Sequence, residues 1–138
     1  NTTVSFISSK LRAGTEWKYK VVAYKKHGNS VVKNVGSQIS SVTLPTAPVV
    51  VIRAGKGSVT LGWNGVTGAD GYEVYMRTTK KGKSTKIATL KKASKVKYTK
   101  KGLAKNKTYY VNVRAFKKDA KGRKYYSSYS TVKAVKAK

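Results

Sequence analysis

The sequence predicts an all-β fold made of antiparallel β-sandwich units, and two observations predict it: an internal repeat and a period-two alternation of apolar side chains. The segment from Leu103 to Ala115 has a near copy from Leu11 to Ala23, so leucine, an aromatic residue and alanine recur 92 positions apart. In each copy a polar turn follows the leucine, and apolar residues then take every second position, which is typical of a half-buried strand. The spacing is that of one small β domain, which indicates parts of two units.

These residues resemble the turn and sixth strand of fibronectin type III domains. Ala47-Pro48 resembles the start of such a domain, residues 59–63 (VTLGW) its second strand with the core tryptophan, and residues 71–76 (GYEVYM) its third strand. The resemblance implies an immunoglobulin-like, seven-stranded antiparallel β-sandwich over residues 49–138, the second unit. It also implies that residues 1–44, the first unit, hold only the last three strands of another such repeat.

The three strands of the first unit are expected around Val4 and Phe6, over residues 17–23, and over residues 39–44, with a turn at residues 25–29. The second of them carries Trp17, Tyr19, Val21 and Ala23 on one face. In the family, a tyrosine hydroxyl at the position of Trp17 binds the backbone of the preceding turn. The indole N–H of Trp17 could donate a hydrogen bond there instead.

The apolar face of the first unit has no opposing sheet within residues 1–44. An uncovered face with open strand edges favours association. Either the missing four strands belong to another polypeptide chain, or the first unit packs on the second. The regular half-sandwich pattern favours complementation by another chain, and complete burial of Trp17 within this chain would contradict that preference.

Residues 45–48 form the predicted linker, in which Pro45 and Pro48 limit bending and favour an end-to-end arrangement of the two units. The strands of the second unit are expected near residues 49–54, 58–63, 71–78, 85–90, 95–99, 108–117 and 128–135. The expected core consists of Val59, Leu61, Trp63, Tyr72, Val74, Met76, Ile87, Leu90, Val96, Tyr98, Leu103, Tyr109, Val111, Val113 and Val132.

Charge is the strongest compositional feature: 31 lysines and arginines stand against 4 acidic residues, a formal net charge of +27. Most of the excess lies in the second unit, where lysines take the polar phase of strands or cluster in turns, as solvated residues do. The chain has no cysteine, which excludes a disulfide framework and a thiolate metal site. No apolar run approaches the length of a membrane-spanning helix.

Groups for catalysis are scarce, so the sequence predicts no enzyme, no cofactor and no metal site. The one histidine, His27, falls in a predicted turn. Among the four acidic residues, Asp70 and Asp119 fall in turns, and Glu16 and Glu73 fall on outward phases of strands. A carboxylate pair is therefore not expected.

Two functions remain open. The first is a structural spacer or adhesion module of a larger bacterial extracellular protein, secreted or attached to the cell wall, as the family resemblance and the lysine-rich, cysteine-free composition imply. Its partners would be other modules of the same polypeptide. The second is a module that binds a polyanion or carbohydrate, such as an anionic cell-wall polymer or glycan, through basic and aromatic residues. Nucleic acid is the least favoured ligand, because no nucleic-acid-binding motif accompanies the charge.

The candidate binding residues all lie on the outward phase of predicted strands or in the last hairpin. They are Tyr75, Tyr110, Arg114, Phe116, Lys117, Lys118, Arg123, Lys124, Tyr125 and Tyr126. The alternative interpretation is that the outward aromatic residues are cross-strand pairs that stabilise the sheet.

Overall fold

The computed structural model describes residues 5–138 and contains ten strands and no helix in that range. The strands are β1 Glu16–His27, β2 Ser30–Val42, β3 Val50–Gly55, β4 Ser58–Trp63, β5 Gly71–Arg77, β6 Thr85–Leu90, β7 Lys97–Lys101, β8 Thr108–Lys118, β9 Lys124–Tyr126 and β10 Lys133–Lys136. All pairings are antiparallel, so the predicted all-β fold is confirmed.

The second unit is a sandwich of two sheets. One sheet has the order β3-β4-β7, and the other has the order β10-β8-β5-β6 with β9 paired to the end of β8. Each sheet turns alternate side chains toward the other, and the buried cluster draws on both, from Val59 and Leu61 on β4 to Val111 and Val113 on β8. Trp63 closes one end of this core and meets the ring of Tyr72 edge to face, with 5.3 Å between ring centroids.

The last predicted strand differs most from the structure. Instead of one strand over residues 128–135, β9 and β10 flank an irregular stretch in which serine hydroxyls replace ladder bonds. Ser127 Oγ accepts from Ala115 N–H at 2.9 Å, and Ser130 Oγ accepts from Val113 N–H at 3.0 Å. Serine competes with the backbone for such bonds, so the chain shifts. As a result Val132 is 37% exposed, which contradicts its place in the predicted core.

The first unit is a long two-stranded hairpin. β1 and β2 continue almost to the tip at Gly28-Asn29, so the turn is shorter than the five residues expected and β2 much longer than the strand predicted over residues 39–44. A bulge interrupts the ladder where Gly36 lies against the carbonyl of Val21, a contact that leaves no room for a Cβ. The strand expected around Val4 lies partly outside the described residues, and residues 5–8 form no strand.

The repeat seen in the sequence is also a repeat of backbone conformation. Lys10 and Gly102 have φ of 57° and 71°, and Gly14 and Asn106 have φ of 64° and 63°. The two members of each pair are 92 positions apart. The backbone therefore turns in the same way before β1 and before β8. In the second unit this turn is held by Tyr109, whose hydroxyl accepts the N–H of Ala104 at 3.0 Å.

Trp17 makes no such bond. Its Nε1 is buried and has no hydrogen-bond partner among residues 5–138, so the expectation that the indole N–H donates to the turn is wrong. The ring itself is only half-buried. The chain therefore does not enclose Trp17, and the preference for complementation by another chain is not contradicted.

Candidate functional site

The candidate site lies on the outer face, defined as the side of the β10-β8-β5-β6 sheet that points away from β3-β4-β7. Register places Glu73 of β5 directly opposite Arg114 of β8, and Gly71 opposite Phe116. Because side chains alternate along a strand, Tyr75 and Phe116 share this face with Glu73 and Arg114. Two neighbouring strands thus bring one acidic side chain, one basic side chain and two aromatic rings together.

Glu73 is the centre of the outer face and is fully buried, with 0% exposure. Arg114 donates to Oε2 from Nη2 at 2.8 Å and from Nε at 3.1 Å, and the Tyr75 hydroxyl donates to the same oxygen at 2.7 Å. The Nζ atoms of Lys86 and Lys124 reach Oε1 at 3.3 and 3.2 Å. One carboxylate is therefore shared by three cations, which is the arrangement that makes burial of a charge tolerable.

This arrangement fixes the ionisation of the group. Burial alone raises the pKa of Glu73, but hydrogen bonds from Arg114, Tyr75, Lys124 and Lys86 more than offset that effect and lower the pKa from 4.5 to about 2. Burial, together with donation to Glu73, raises the pKa of the Tyr75 phenol well above its usual range. Neither pKa lies near neutral pH, so neither group changes its protonation state there.

Arg114 is held by aromatic rings as well as by Glu73. Its guanidinium carbon lies 3.7 Å from the centroid of Tyr126, 5.1 Å from that of Tyr129 and 5.2 Å from that of Tyr75. Tyr75 and Tyr129 also meet edge to face at 5.2 Å. Stacking of this kind suits the flat, weakly hydrated guanidinium, and it shows that the segment after β9 folds back over the sheet.

Residues that the sequence placed at the surface are buried beneath side chains of neighbouring strands. Phe116 has 0% exposure and Tyr75 9%, so the prediction that these two rings are exposed is wrong, as is the outward, solvated position assigned to Glu73. Phe116 lies under the Lys124 ammonium, 4.5 Å from its centroid, and against Gly71, where a Cβ would meet the ring at 2.7 Å. Side-chain alternation correctly predicted that these residues lie on the outer face, but it did not predict that other side chains cover that face.

The remaining candidate residues are divided between two neighbourhoods. Tyr110 is half-buried and lies beneath Arg77, whose guanidinium carbon is 5.8 Å from its centroid. Lys117 forms an ion pair of 3.2 Å with Asp70, and the backbone N–H of Lys118 donates to the same carboxylate. These residues do not converge with the Glu73 cluster on a single cavity.

Arg123 lies in the last hairpin turn and Tyr125 follows it in β9, and the turn is organised by Asp119. The Asp119 carboxylate accepts from Arg123 Nε at 2.7 Å, from the N–H groups of Lys121 and Arg123 at 2.9 Å, and from the Tyr125 hydroxyl at 3.3 Å. Desolvation raises the pKa of Asp119, but the bonds from Arg123 outweigh it and lower the pKa. The basic turn is therefore ordered, and the Arg123 side chain stays 68% exposed.

Sequence reasoning missed four participants in the outer face: Glu73, Lys86, Asn112 and Tyr129. Asn112 is 7% exposed, and its Oδ1 finds no hydrogen-bond partner among residues 5–138. The available signal was the aromatic content of the outward phase, since two large rings on one face of a sheet indicate that something covers it. Within the same range there is no group of three metal-ligating side chains and no helix able to cross a membrane.

A second surface, the exposed hairpin face of the first unit, is apolar. Val21 is 75% and Ile39 63% exposed, and together with Tyr19 and Phe6 they line one groove. In the second unit the corresponding face of β8 packs in the core. The edge of β8 that points away from β9 and β10 pairs with β5. The edge of β1 that points away from β2 pairs with no strand among residues 5–138.

No protein-family model matches the chain, and no curated protein matches its sequence. Solved structures do. A two-domain fibronectin type III segment of chicken tenascin is similar over 92% of this chain and 67% of its own, with a TM-score of 0.67 and 22% identity. A Fn3-like protein from Clostridium thermocellum is similar over 68% of this chain and 91% of its own, with a TM-score of 0.52 and 28% identity. A β-1,2-glucanase from Parabacteroides distasonis matches 78% of this chain over 17% of its own, with a TM-score of 0.57 and 16% identity. The fold is thus similar to that of fibronectin type III domains.

Proposed function

We propose that this chain is a non-catalytic spacer, part of one β-sandwich module followed by a second module in series, that holds other modules of a larger extracellular bacterial protein away from a cell surface. The observation that carries the proposal is the construction of the linker. Pro45 and Pro48 are both buried, and Thr43 binds the preceding turn through its backbone and its hydroxyl. A linker packed in this way transmits orientation, as a spacer needs and a flexible tether does not.

The neighbours support a modular role. The similarity to a two-domain tenascin segment extends across both units, and the Clostridium protein has the Fn3-like fold in a bacterium. The charged groups of the outer face are engaged with one another, so they support packing of the module better than turnover of a substrate.

End-to-end fluorescence transfer tests the spacer. Donor and acceptor proteins are fused to the two ends of the chain, with a Gly/Ser linker of equal length as the control. That control behaves as a random coil with an end-to-end distance of about 65 Å and a broad distribution. The spacer should give one narrow transfer efficiency, whereas a distribution as broad as the control would contradict it.

We further propose that the exposed hairpin face is completed by four strands of the same type supplied by another chain or segment. The open edge of β1 and the exposed Val21 and Ile39 support this. Because the repeat offset is 92, a copy of residues 47–95 joined ahead of Val4 recreates the order of a whole unit. Protection of the β1 amides from hydrogen exchange is the expected result. Exposed β1 amides in that fusion, or a dimer of the original chain sealed along β1, would contradict the proposal.

The second candidate function, binding of an anionic polymer, is favoured by the ordered basic turn around Asp119, which keeps Arg123 exposed beside Tyr125. Retention on heparin and on purified cell wall is measured across a salt series. A dedicated site should survive moderate salt and weaken when Tyr110 or Tyr125 is replaced with alanine. Retention that follows only the number of lysines indicates bulk charge attraction, and no retention at low salt eliminates this function.

A further inference from the structure

The two units meet through a contact between two glycine backbones. Gly14, in the turn before β1, lies against Gly68, in the loop between β4 and β5. A Cβ built on Gly14 would lie 2.8 Å from Cα and C of Gly68, and a Cβ built on Gly68 would lie 2.8 Å from Cα and C of Gly14. Since real Cβ atoms essentially never approach other atoms within 3.0 Å, this approach requires glycine on both sides.

Each side of the contact is anchored in its own unit. The N–H of Gly14 donates to the carbonyls of Thr43 and Leu44 at 3.1 and 3.3 Å, which ties the turn to the linker. On the other side, the N–H of Val66 donates to the buried Tyr72 hydroxyl at 3.0 Å, and Ala69 N–H donates to Val66 carbonyl at 3.1 Å. The loop that carries Gly68 is thereby fixed to the core, so neither glycine can move without its unit.

We infer that the Gly14–Gly68 contact is an orientation-setting joint that fixes the angle between the first and second units. This inference deepens the proposed spacer function and rests on it only for its biological use. Elsewhere between the units, Lys18 and Ser40 of the hairpin and Lys121 and Arg123 of the last turn line an open cleft. Separation of the glycine backbones therefore leaves the hairpin free to tilt toward or away from that turn.

The second unit shows which residue can replace Gly14 without changing the turn. Asn106 occupies the position of Gly14 in the second unit, 92 residues later, with φ of 63° against 64°. Its turn has the corresponding hydrogen bond: Asn106 N–H donates to Ala137 carbonyl at 2.9 Å, as Gly14 N–H donates to Thr43 carbonyl. Asparagine is therefore compatible with the turn, so Gly14→Asn keeps the turn and adds a side chain whose Cβ the joint excludes.

The expected displacement is measurable. Restoring an ordinary contact of 3.4–4 Å from 2.8 Å requires the backbones to separate by about 1 Å. β1 has 12 residues and extends about 40 Å from the joint at 3.4 Å per residue. A separation of about 1 Å beside the joint becomes a shift of several Å at the hairpin tip.

Distances between two nitroxide spin labels, measured by double electron–electron resonance, test the joint. The chain has no native cysteine, so Lys26→Cys at the hairpin tip and Lys83→Cys in the second unit are the only labelling sites. The unsubstituted chain should give one narrow distance distribution. Gly14→Asn and Gly68→Ala should each shift its mean by several Å or broaden it about twofold.

Two controls separate the contact from backbone strain. Asn106→Gly makes the reverse exchange away from the joint. Gly122→Ala imposes alanine at φ of 79° with nothing within 4 Å, against 73° at Gly68. Both should leave the distribution unchanged. An unchanged distribution in Gly14→Asn, or a broad one in the unsubstituted chain, overturns the joint. A narrow distribution that Gly14→Asn and Gly68→Ala leave unchanged overturns the joint alone, whereas a broad distribution in the unsubstituted chain contradicts the spacer as well, so the two failures are distinguishable.

Discussion

Replacing Glu73 with glutamine tests the outer face most directly. The substitution keeps the size of the side chain and removes the charge that Arg114, Lys86 and Lys124 share. The lowering of the Glu73 pKa from 4.5 to about 2 corresponds to about 3 kcal/mol of preference for the ionised form, at about 1.4 kcal/mol per pKa unit. We expect Glu73→Gln to lower the free energy of unfolding by about 3 kcal/mol at pH 7, as for a broken buried ion pair.

The pH dependence has a definite sign. Because the folded state has the lower pKa, ionised Glu73 contributes its full stabilisation above about pH 4.5 and loses it as the pH falls through about 2. The unsubstituted chain should therefore lose stability between these values. The Glu73→Gln variant should be less stable at pH 7 and should show a flatter pH profile.

The assay is urea unfolding followed by tryptophan fluorescence at several pH values. A Trp17→Phe background leaves Trp63, in the core of the second unit, as the one remaining tryptophan. Glu16→Gln is the matched control, since it makes the same chemical change in the first unit at a carboxylate that has no ion pair within residues 5–138. Equal stability of the Glu73 and Glu16 variants, or identical pH profiles, would refute the reasoning.

Three further predictions concern buried aromatic residues of the second unit. Trp63→Ala should lower the free energy of unfolding by about 3–5 kcal/mol through cavity formation, measured by urea unfolding followed by far-ultraviolet circular dichroism; a loss below about 1 kcal/mol would show that the site is not tightly packed. Tyr109→Phe should cost about 1 kcal/mol, because the Ala104 N–H loses its acceptor, whereas Tyr110→Phe, measured in the same way, should cost less. Phe116→Ala should lower the free energy of unfolding by about 3–5 kcal/mol, measured by thermal unfolding. A variant that keeps its stability and loses only heparin retention would instead support Phe116 as a ligand contact.

Most strands of the second unit were predictable from the sequence. Period-two alternation placed β4 and β6 at their observed residues and β5 and β8 within one residue at the ends, because every apolar side chain there has to leave water on the same face. The repeat predicted a turn before β8 and before β1, and the two turns share one backbone conformation. The tyrosine hydrogen bond to the turn, which Tyr109 makes, is what the family resemblance implied. These are local properties, in which a few neighbouring residues specify the result.

Tertiary structure alone decided what covers each face. Alternation shows that Glu73 and Phe116 share the outer phase, but their burial depends on side chains that other strands bring to that face. Lys86 of β6 and Lys124 of β9 reach Glu73, and Lys124 and Tyr126 lie against Phe116. The contact of Gly14 with Gly68 is likewise invisible in the sequence, since it joins residues far apart that share no pattern. Side-chain periodicity encodes which way a residue points, whereas burial depends on what another part of the chain brings to that face.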